Sequence, residues 1–373
     1  MIMKIRMPVP NTLLRVGLLL MIIKVLLSAL CFVEMPELAD TFLSIAASMF
    51  LVGSILQKRY PLGILIVFAC AVVLGLITSI RTGNLMIYIA IITCLAVCRE
   101  NLERVTYFLM SWETFFIMMV MLLSFVLHLF GIPMLTRMSG KMVYNFGFSH
   151  PNVCACFVAN LFAMYLWLHY EDAKIKQLLT IFALEMLVGF VTDSRTGLIV
   201  STFLMVSVLL FRGKQHSGKV IRFGAKYALP FLTVVFYALC KAYVSGNSLV
   251  LLLDKLVSGR IWLGAYSINR FGVSLLGINL TNVVVKWDEF WRLSGITFDN
   301  VYTYLLVTQF VWLLVVSFLF YKIANRGTVK HCIFILSWAL YGVAEIHALN
   351  PYMFFVILLV TCLSDRKFGR TDQ

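Results

Sequence analysis

Charged side chains are scarce in this sequence: they make up 13% of its 373 residues, whereas hydrophobic residues make up 61%. A soluble domain of this length would carry far more charge, so the composition excludes that class of protein. The apolar residues form continuous runs of about 20, the length that a helix needs to cross a bilayer. They do not form the alternating segments of about ten residues that are typical of a membrane β-barrel. The sequence therefore predicts an all-α polytopic membrane protein.

Acidic residues are particularly few, with 17 Asp and Glu against 31 Lys and Arg, which gives a net charge of +14. In a soluble chain such an excess would suggest nucleic-acid binding. In a membrane protein, lysines and arginines accumulate in the cytoplasmic loops. Most of the basic residues fall on one side if the N-terminus is cytoplasmic, and the densest group is residues 212–226. We therefore expect both termini in the cytoplasm and no nucleic-acid partner.

Motifs for common cofactors are absent. The sequence has no HExxH, no cluster of acidic pairs, no phosphate-binding P-loop and no dinucleotide fingerprint. The nine cysteines lie almost entirely in apolar runs without other metal ligands nearby, so we interpret them as small core residues. The first apolar run contains Lys24 and lacks a small-residue cleavage site, which favours a retained span. We predict no metal and no cofactor.

The apolar runs predict about twelve transmembrane helices. They lie near residues 12–33, 40–57, 61–80, 84–98, 107–130, 151–169, 176–191, 196–211, 227–244, 300–321, 331–347 and 350–364. We expect a single integral membrane domain over residues 1–373. Residues 245–300 would form a long extracytoplasmic loop bearing short amphipathic helices, between the ninth and tenth spans.

Within that loop, residues 258–272 have the pattern of a short helix. Ser258 is a typical helix start and Gly272 a typical helix stop. Aromatic residues alternate with Arg260 and Arg270, which predicts a helix resting on the membrane surface with guanidinium groups free to bind phosphate. The alternative is that both arginines only anchor the helix at the interface.

Two further groups of polar residues fall on the predicted outer side. Ser149 or His150 would cap a helix that begins at Pro151, near backbone donors that attract anions. Asp193 and Arg195 belong to a tight turn, where the arginine either pairs locally with the aspartate or binds a lipid-linked diphosphate as a fork. For the first group, a well-formed helix start without further function is an equal alternative.

Acidic residues mark two more positions on this side. Asp299 precedes the tenth span, where its side chain could cap the helix. Glu345 lies within an apolar run, and ionisable residues there are costly enough to suggest a function.

Taken in order, these motifs resemble those of a known family. The motifs are residues 146–152, 193–197, 258–261 with Gly277 beyond, Asp299 with Asn300, and Glu345. They are similar to the Wzy-type capsular and exopolysaccharide repeat-unit polymerases, which belong to the O-antigen polymerase and ligase superfamily. The similarity covers roughly residues 144–350.

The resemblance implies a metal-independent glycosyltransferase of the bacterial cytoplasmic membrane. Its donor and acceptor would both be oligosaccharides linked to undecaprenyl diphosphate, and a flippase and a chain-length regulator would be its partners. The growing glycan would pass from its lipid diphosphate to a sugar hydroxyl of the next repeat unit. The implied roles are diphosphate binding by Arg195, Arg260 and Arg270, general base catalysis by His150, Glu345 or Asp299, and support by Asn152, Asp193 and Asn300.

Two alternatives stay open. A ligase of the same superfamily would attach finished glycan to another acceptor, and the sequence barely separates the two activities. A flippase or transporter of lipid-linked sugars would also have about twelve spans. A transporter is expected to have charges or broken helices near the bilayer midplane and two related halves, whereas here the unusual residues cluster at the outer boundary.

Overall fold

A computed structural model of the chain describes residues 11–130, 143–213, 218–257, 259–280, 283, 285–288, 291–293, 298–365 and 368. Helices dominate these residues, in agreement with the predicted class. Among the described residues, five helices are long and apolar enough to cross a membrane, judged by length and composition: Glu37–Leu56, Leu62–Thr82, Leu102–Leu129, Pro151–Leu168 and Lys219–Val244. These helices are consistent with a membrane protein.

The chain divides into two compact units, and the first comprises Met1–Pro61, Ile92–Gly213 and Pro351–Lys367. Its elements are α1 (Thr12–Leu27), α2 (Glu37–Leu56), α5 (Leu102–Leu129), α6 (Pro151–Leu168), α7 (Ile175–Val191), α8 (Arg195–Phe211) and a 3₁₀ helix, Phe355–Ser364. The core of this unit lies between α5, α6 and the 3₁₀ helix, where most side chains of α6 are buried.

The second unit comprises Leu62–Ile91, Lys214–Asn350 and Phe368–Gln373. Its elements are α3 (Leu62–Thr82), α9 (Lys219–Val244), α10 (Ser248–Leu256), α11 (Arg260–Phe271), α12 (Val301–Thr308), α13 (Phe310–Arg326), α14 (Val329–Gly342) and a 3₁₀ turn, Ile346–Leu349. Strands β1 (Val285–Asp288) and β2 (Trp291–Leu293) form an antiparallel hairpin. Helix α4 (Met86–Val97) begins in this unit and ends in the first. Helix α9 is central, because α11, α13 and α14 all pack against it.

Helix is present in each interval that the hydropathy pattern predicts as a span, with two departures in form. The tenth interval is broken at Gln309, and the twelfth is a 3₁₀ helix. At the break, the backbone N–H of Phe310 donates to the carbonyl of Ser274, and Ser274 donates in turn to Leu306. Because a second chain segment supplies these partners, the helix is interrupted without leaving those buried backbone groups unpaired.

The predicted helix in the long loop is α11, and the predicted stop is confirmed, since Gly272 caps its C-terminus with φ +70°. Ser258, the predicted start, lies outside the described residues, as do residues 214–217 of the basic segment 212–226. One face of α11 packs on protein, because Ile261 and Ile268 are buried and α11 contacts α9 and α12. Its position at a membrane surface stays a prediction.

Gly264 allows this close packing. A Cβ at position 264 would lie 2.7 Å from Cγ2 of Thr303 on α12 and 2.9 Å from Sγ of Cys240 on α9. Both separations are shorter than van der Waals contact, so α11 approaches its neighbours to a distance that only glycine permits.

We expect Gly264→Ala to destabilise the second unit by about 1–3 kcal/mol, because overpacking a tight interface forces its neighbours apart. Gly63→Ala is the matched control, since a Cβ there meets nothing within 4 Å. Thermal unfolding of the two purified variants in detergent checks this. Equal melting temperatures would show that α11 does not pack at this distance.

Candidate active site

Three of the residues singled out in the sequence come together in the second unit. Arg260 is the first residue of α11. Its Nε lies 3.8 Å from Oδ2 of Asp299, and its Nη2 lies 3.8 Å from Oε1 of Glu345. Arg260 and Glu345 are 85 positions apart in the chain. They come together because α11 and the 3₁₀ turn both pack on α12. We call Arg260, Asp299 and Glu345 the arginine cluster.

Burial differs across the arginine cluster. The side chain of Asp299 is 48% exposed, whereas that of Arg260 is 19% exposed and that of Glu345 is 9% exposed. The guanidinium group is therefore not free, contrary to expectation, but faces one solvated and one buried carboxyl group. A planar guanidinium in this position can exchange one carboxylate for another oxyanion of similar geometry.

Asn300, and not Asp299, caps α12. Its side-chain oxygen accepts hydrogen bonds from the backbone N–H groups of Tyr302 and Thr303, at 2.8 and 3.0 Å. Its amide nitrogen donates to the carbonyl of Val343 at 2.9 Å, two residues before Glu345. The predicted capping role of Asp299 is thus wrong, and this leaves the Asp299 carboxyl group to face Arg260. Asn300 joins the segment that carries Asp299 to the segment that carries Glu345, and its supporting role in a site stays a prediction.

Asp254 is a residue that the sequence analysis missed. Its Oδ1 accepts hydrogen bonds from the backbone N–H groups of Ile261 and Trp262, at 2.9 and 3.0 Å. It thereby caps α11 from the preceding helix and fixes the turn that carries Arg260. Asp254 is the lone acid of a leucine-rich segment, and it lies four residues after Val250, with which it shares the buried face of α10. This position was the sequence signal that could have indicated a buried role for Asp254.

Arg270 lies apart from the cluster. Ten residues separate it from Arg260, which is about 15 Å along a helix. Its side chain is exposed and donates a hydrogen bond to the Tyr266 hydroxyl, and its guanidinium group lies over the Tyr266 and Phe271 rings. These contacts are typical of an anchor at an interface, which was the alternative interpretation of this residue.

In the first unit, His150 caps α6 as predicted. Its Nδ1 accepts a hydrogen bond from the backbone N–H of Asn152 at 3.1 Å, and Pro151 follows as the first helical residue. While Nδ1 accepts this bond, a neutral imidazole carries its proton on Nε2, so the second nitrogen is a donor. Gly147, at φ +89°, turns the chain towards this cap, and a Cβ there would lie 2.9 Å from the Ser124 side chain.

Arg195 is the first residue of α8, after a tight turn in which Asp193 has φ +51°. Short connections join α6 to α7 and α7 to α8, and the three helices pack together, so α6 and α8 run parallel. A Cβ at Gly197 would lie 3.7 Å from that of Ala155, the fifth residue of α6, which places the N-terminal parts of α6 and α8 side by side. His150, Asn152, Asp193 and Arg195 therefore lie at one end of this unit, where two helix N-termini favour an anion.

A buried hydrogen-bond chain in the first unit was also missed. Asn160 donates from Nδ2 to Oε2 of Glu113 at 2.9 Å and accepts at Oδ1 from the backbone N–H of Phe355 at 2.8 Å. Glu113 is 1% exposed. The amide bridges α5 to the start of the 3₁₀ helix, so this pair of polar residues holds the core of the first unit together.

Within the part of the chain that the structure describes, no group of three or more His, Cys, Asp or Glu residues is placed to hold a metal ion. Comparisons of the chain with protein-family models, with curated proteins and with solved structures gave no match.

Asp254→Ala would leave two N–H groups at the start of α11 without their acceptor, which costs about 1–2 kcal/mol when a capping residue is lost. We expect faster amide exchange over residues 259–271 in this variant, measured by mass spectrometry. Asp254→Asn keeps an acceptor oxygen and is expected to retain most of the protection. Asp172→Ala, at an exposed position, is the control. Unchanged exchange in Asp254→Ala would contradict the capping role.

Proposed function

We propose that this protein is a membrane glycosyltransferase that polymerises repeat units of a bacterial surface polysaccharide on the outer face of the cytoplasmic membrane. It transfers the growing glycan from undecaprenyl diphosphate to a sugar hydroxyl of the next lipid-linked unit. The proposal includes about twelve spans, two cytoplasmic termini and an outer loop over residues 245–300.

The observation that carries the proposal is the arginine cluster. Glycosyl transfer from a diphosphate needs a cation to stabilise the leaving group and a base near the attacking hydroxyl. Arg260 supplies the cation, and two carboxyl groups lie 3.8 Å from its guanidinium nitrogens. The sequence motifs that resemble those of the polymerases include each of these three residues, and their proximity supports a common role.

Substrate binding would then replace one of the carboxyl groups beside Arg260 with the diphosphate. Asp299 is the more exposed of the two acids, so an incoming diphosphate displaces it most easily from Arg260. Glu345 stays buried beside the guanidinium group. The diphosphate retains the charge-assisted hydrogen bonds that Arg260 offers, and the leaving group is neutralised where charge develops.

Each unit holds one cationic group that suits an anion. Arg260 serves a lipid diphosphate in the second unit. In the first unit, Arg195 and the N-termini of α6 and α8 form a group that favours an anion.

Glu345 is the base that the geometry favours. His150 presents Nε2 as a donor while Nδ1 caps α6, so its accessible nitrogen binds an anion in preference to removing a proton. Asp299 is the exchangeable partner of Arg260 in this scheme. Glu345, at the start of the 3₁₀ turn, is left to accept the hydroxyl proton.

One observation favours the transport alternative. The tenth predicted span is broken at Gln309, whose side chain is fully buried, and discontinuous helices line the substrate sites of many transporters. The experiment on the proposed function therefore has to separate polymerisation from movement of lipid-linked sugars.

Deletion of the gene, followed by glycan analysis of the cells, tests the proposed function. We expect loss of long polymer while single repeat units accumulate on lipid or at the surface. Polymer that persists on its lipid carrier without reaching its acceptor would favour a ligase. Units that stay on the inner face of the membrane would favour a flippase.

Complementation with variants tests the role of arginine. We expect Arg260→Ala and Arg195→Ala to abolish polymer per molecule of membrane-inserted protein, and the Lys variants to restore little, since an ammonium group lacks the planar fork. Arg326→Ala, at an exposed position in the last turn of α13, is the control. Normal polymer from both Ala variants would refute diphosphate binding.

The two acids are expected to differ. Glu345→Gln removes the proposed base and should lower the polymerisation rate at least 100-fold, in line with the usual contribution of a general base. Asp299→Asn removes only a competitor for Arg260 and should leave substantial activity. Turnover of purified variants on lipid-linked repeat units measures both. The reverse order of activities would assign the base to Asp299.

A further inference from the structure

Helix α10 has two sharply different faces. Val250 and Asp254, four residues apart, point into the second unit and are buried. The opposite side exposes leucines along its whole length: Leu249 is 71% exposed and Leu256 is 66% exposed, with Leu251, Leu252 and Leu253 between them. We call these five leucines the leucine face.

The leucine face has a cation but no acid. Lys255 is exposed beside it, whereas the carboxyl group of Asp254 is turned inwards to the N-terminus of α11. An apolar surface of this size with water as its only neighbour would be unfavourable. The structure therefore requires an apolar occupant for this side of α10.

Continuity with α9 identifies that occupant. Helix α9 is apolar and long enough to span a membrane, and it exposes Phe231 and Val234 along its length. Three residues separate its last residue, Val244, from α10. Val244 is itself exposed, and a short exposed polar turn, residues 245–247, connects the apolar surface of α9 to the leucine face.

The end of α9 also has the residues that mark a membrane interface. Lys241 is exposed and its ammonium group lies 5.7 Å from the centre of the Tyr237 ring. Tyrosines and snorkelling lysines are typical of the depth of lipid headgroups. Lys241, in the last turn of α9, and Lys255, in the last turn of α10, are both exposed, and anionic headgroups attract them.

We propose that α10 is an interfacial helix whose leucine face is inserted into the lipid at the boundary between headgroups and acyl chains. Its apolar side enters the lipid, its lysine contacts anionic headgroups, and its buried aspartate holds α11. This interaction surface is independent of the proposed enzymatic activity, because it depends only on the exposed leucines and on the continuity with α9.

Lipid quenching of a fluorescent residue tests this. Dansylalanine replaces Leu252 in the full-length protein, which is reconstituted into vesicles of phosphatidylcholine and phosphatidylglycerol. Lipids with a doxyl quencher at a shallow or a deep acyl position report depth. We expect several-fold stronger quenching by the shallow lipid than by the deep one, and protection from aqueous iodide. The same probe at Leu249 serves if the first variant does not fold.

Two control positions calibrate the result. A probe at Phe231, exposed in the middle of α9, should be quenched most by the deep lipid, and a probe at Asp172, in an exposed turn, most by iodide. Iodide quenching at position 252 equal to that at 172 would overturn the proposal. A probe at position 252 that neither iodide nor the doxyl lipids quench, but that becomes quenched as the protein is diluted in lipid, would also overturn the proposal. That result would mean that a second copy of the chain covers the leucine face.

Discussion

Helix ends that lie inside protein or lipid must find partners for their free backbone groups, and this constraint shapes the functional part of the chain. Asp254 supplies the acceptor for α11, Asn300 does so for α12, and His150 does so for α6. Each of these capping residues lies within six positions of a proposed functional group. The side chains that satisfy the backbone therefore also set the positions of the charges.

Charge compensation is the second determinant. A guanidinium group that is only 19% exposed is stable here because two acids face it. The resulting set has one cation and two carboxyl groups, so in the proposed reaction an anionic substrate would compete with an existing partner of Arg260. The difference in burial between Asp299 and Glu345 would then decide which acid is displaced.

Much of the helical architecture could be predicted, because apolar runs of sufficient length specify helices regardless of their neighbours. The cap at His150 and the stop at Gly272 were also predictable, since both depend on adjacent residues only. The capping role of Asp254 could not be predicted, because an aspartate that caps a helix beginning six residues later has no local signature in the sequence. The break at Gln309 depends on hydrogen bonds that Phe310 and Val311 donate to residues 274 and 275, which lie outside any hydropathy window around Gln309.

The arginine cluster also limits how this chain can change over evolutionary time. Replacement of Arg260 by a neutral residue would remove the guanidinium group that faces the buried Glu345, whereas Asp299 could still be hydrated. A lineage would therefore have to lose the charge at position 345 before, or together with, the charge at position 260. Position 299 could vary at any time, so the order of substitution is fixed for one acid and open for the other.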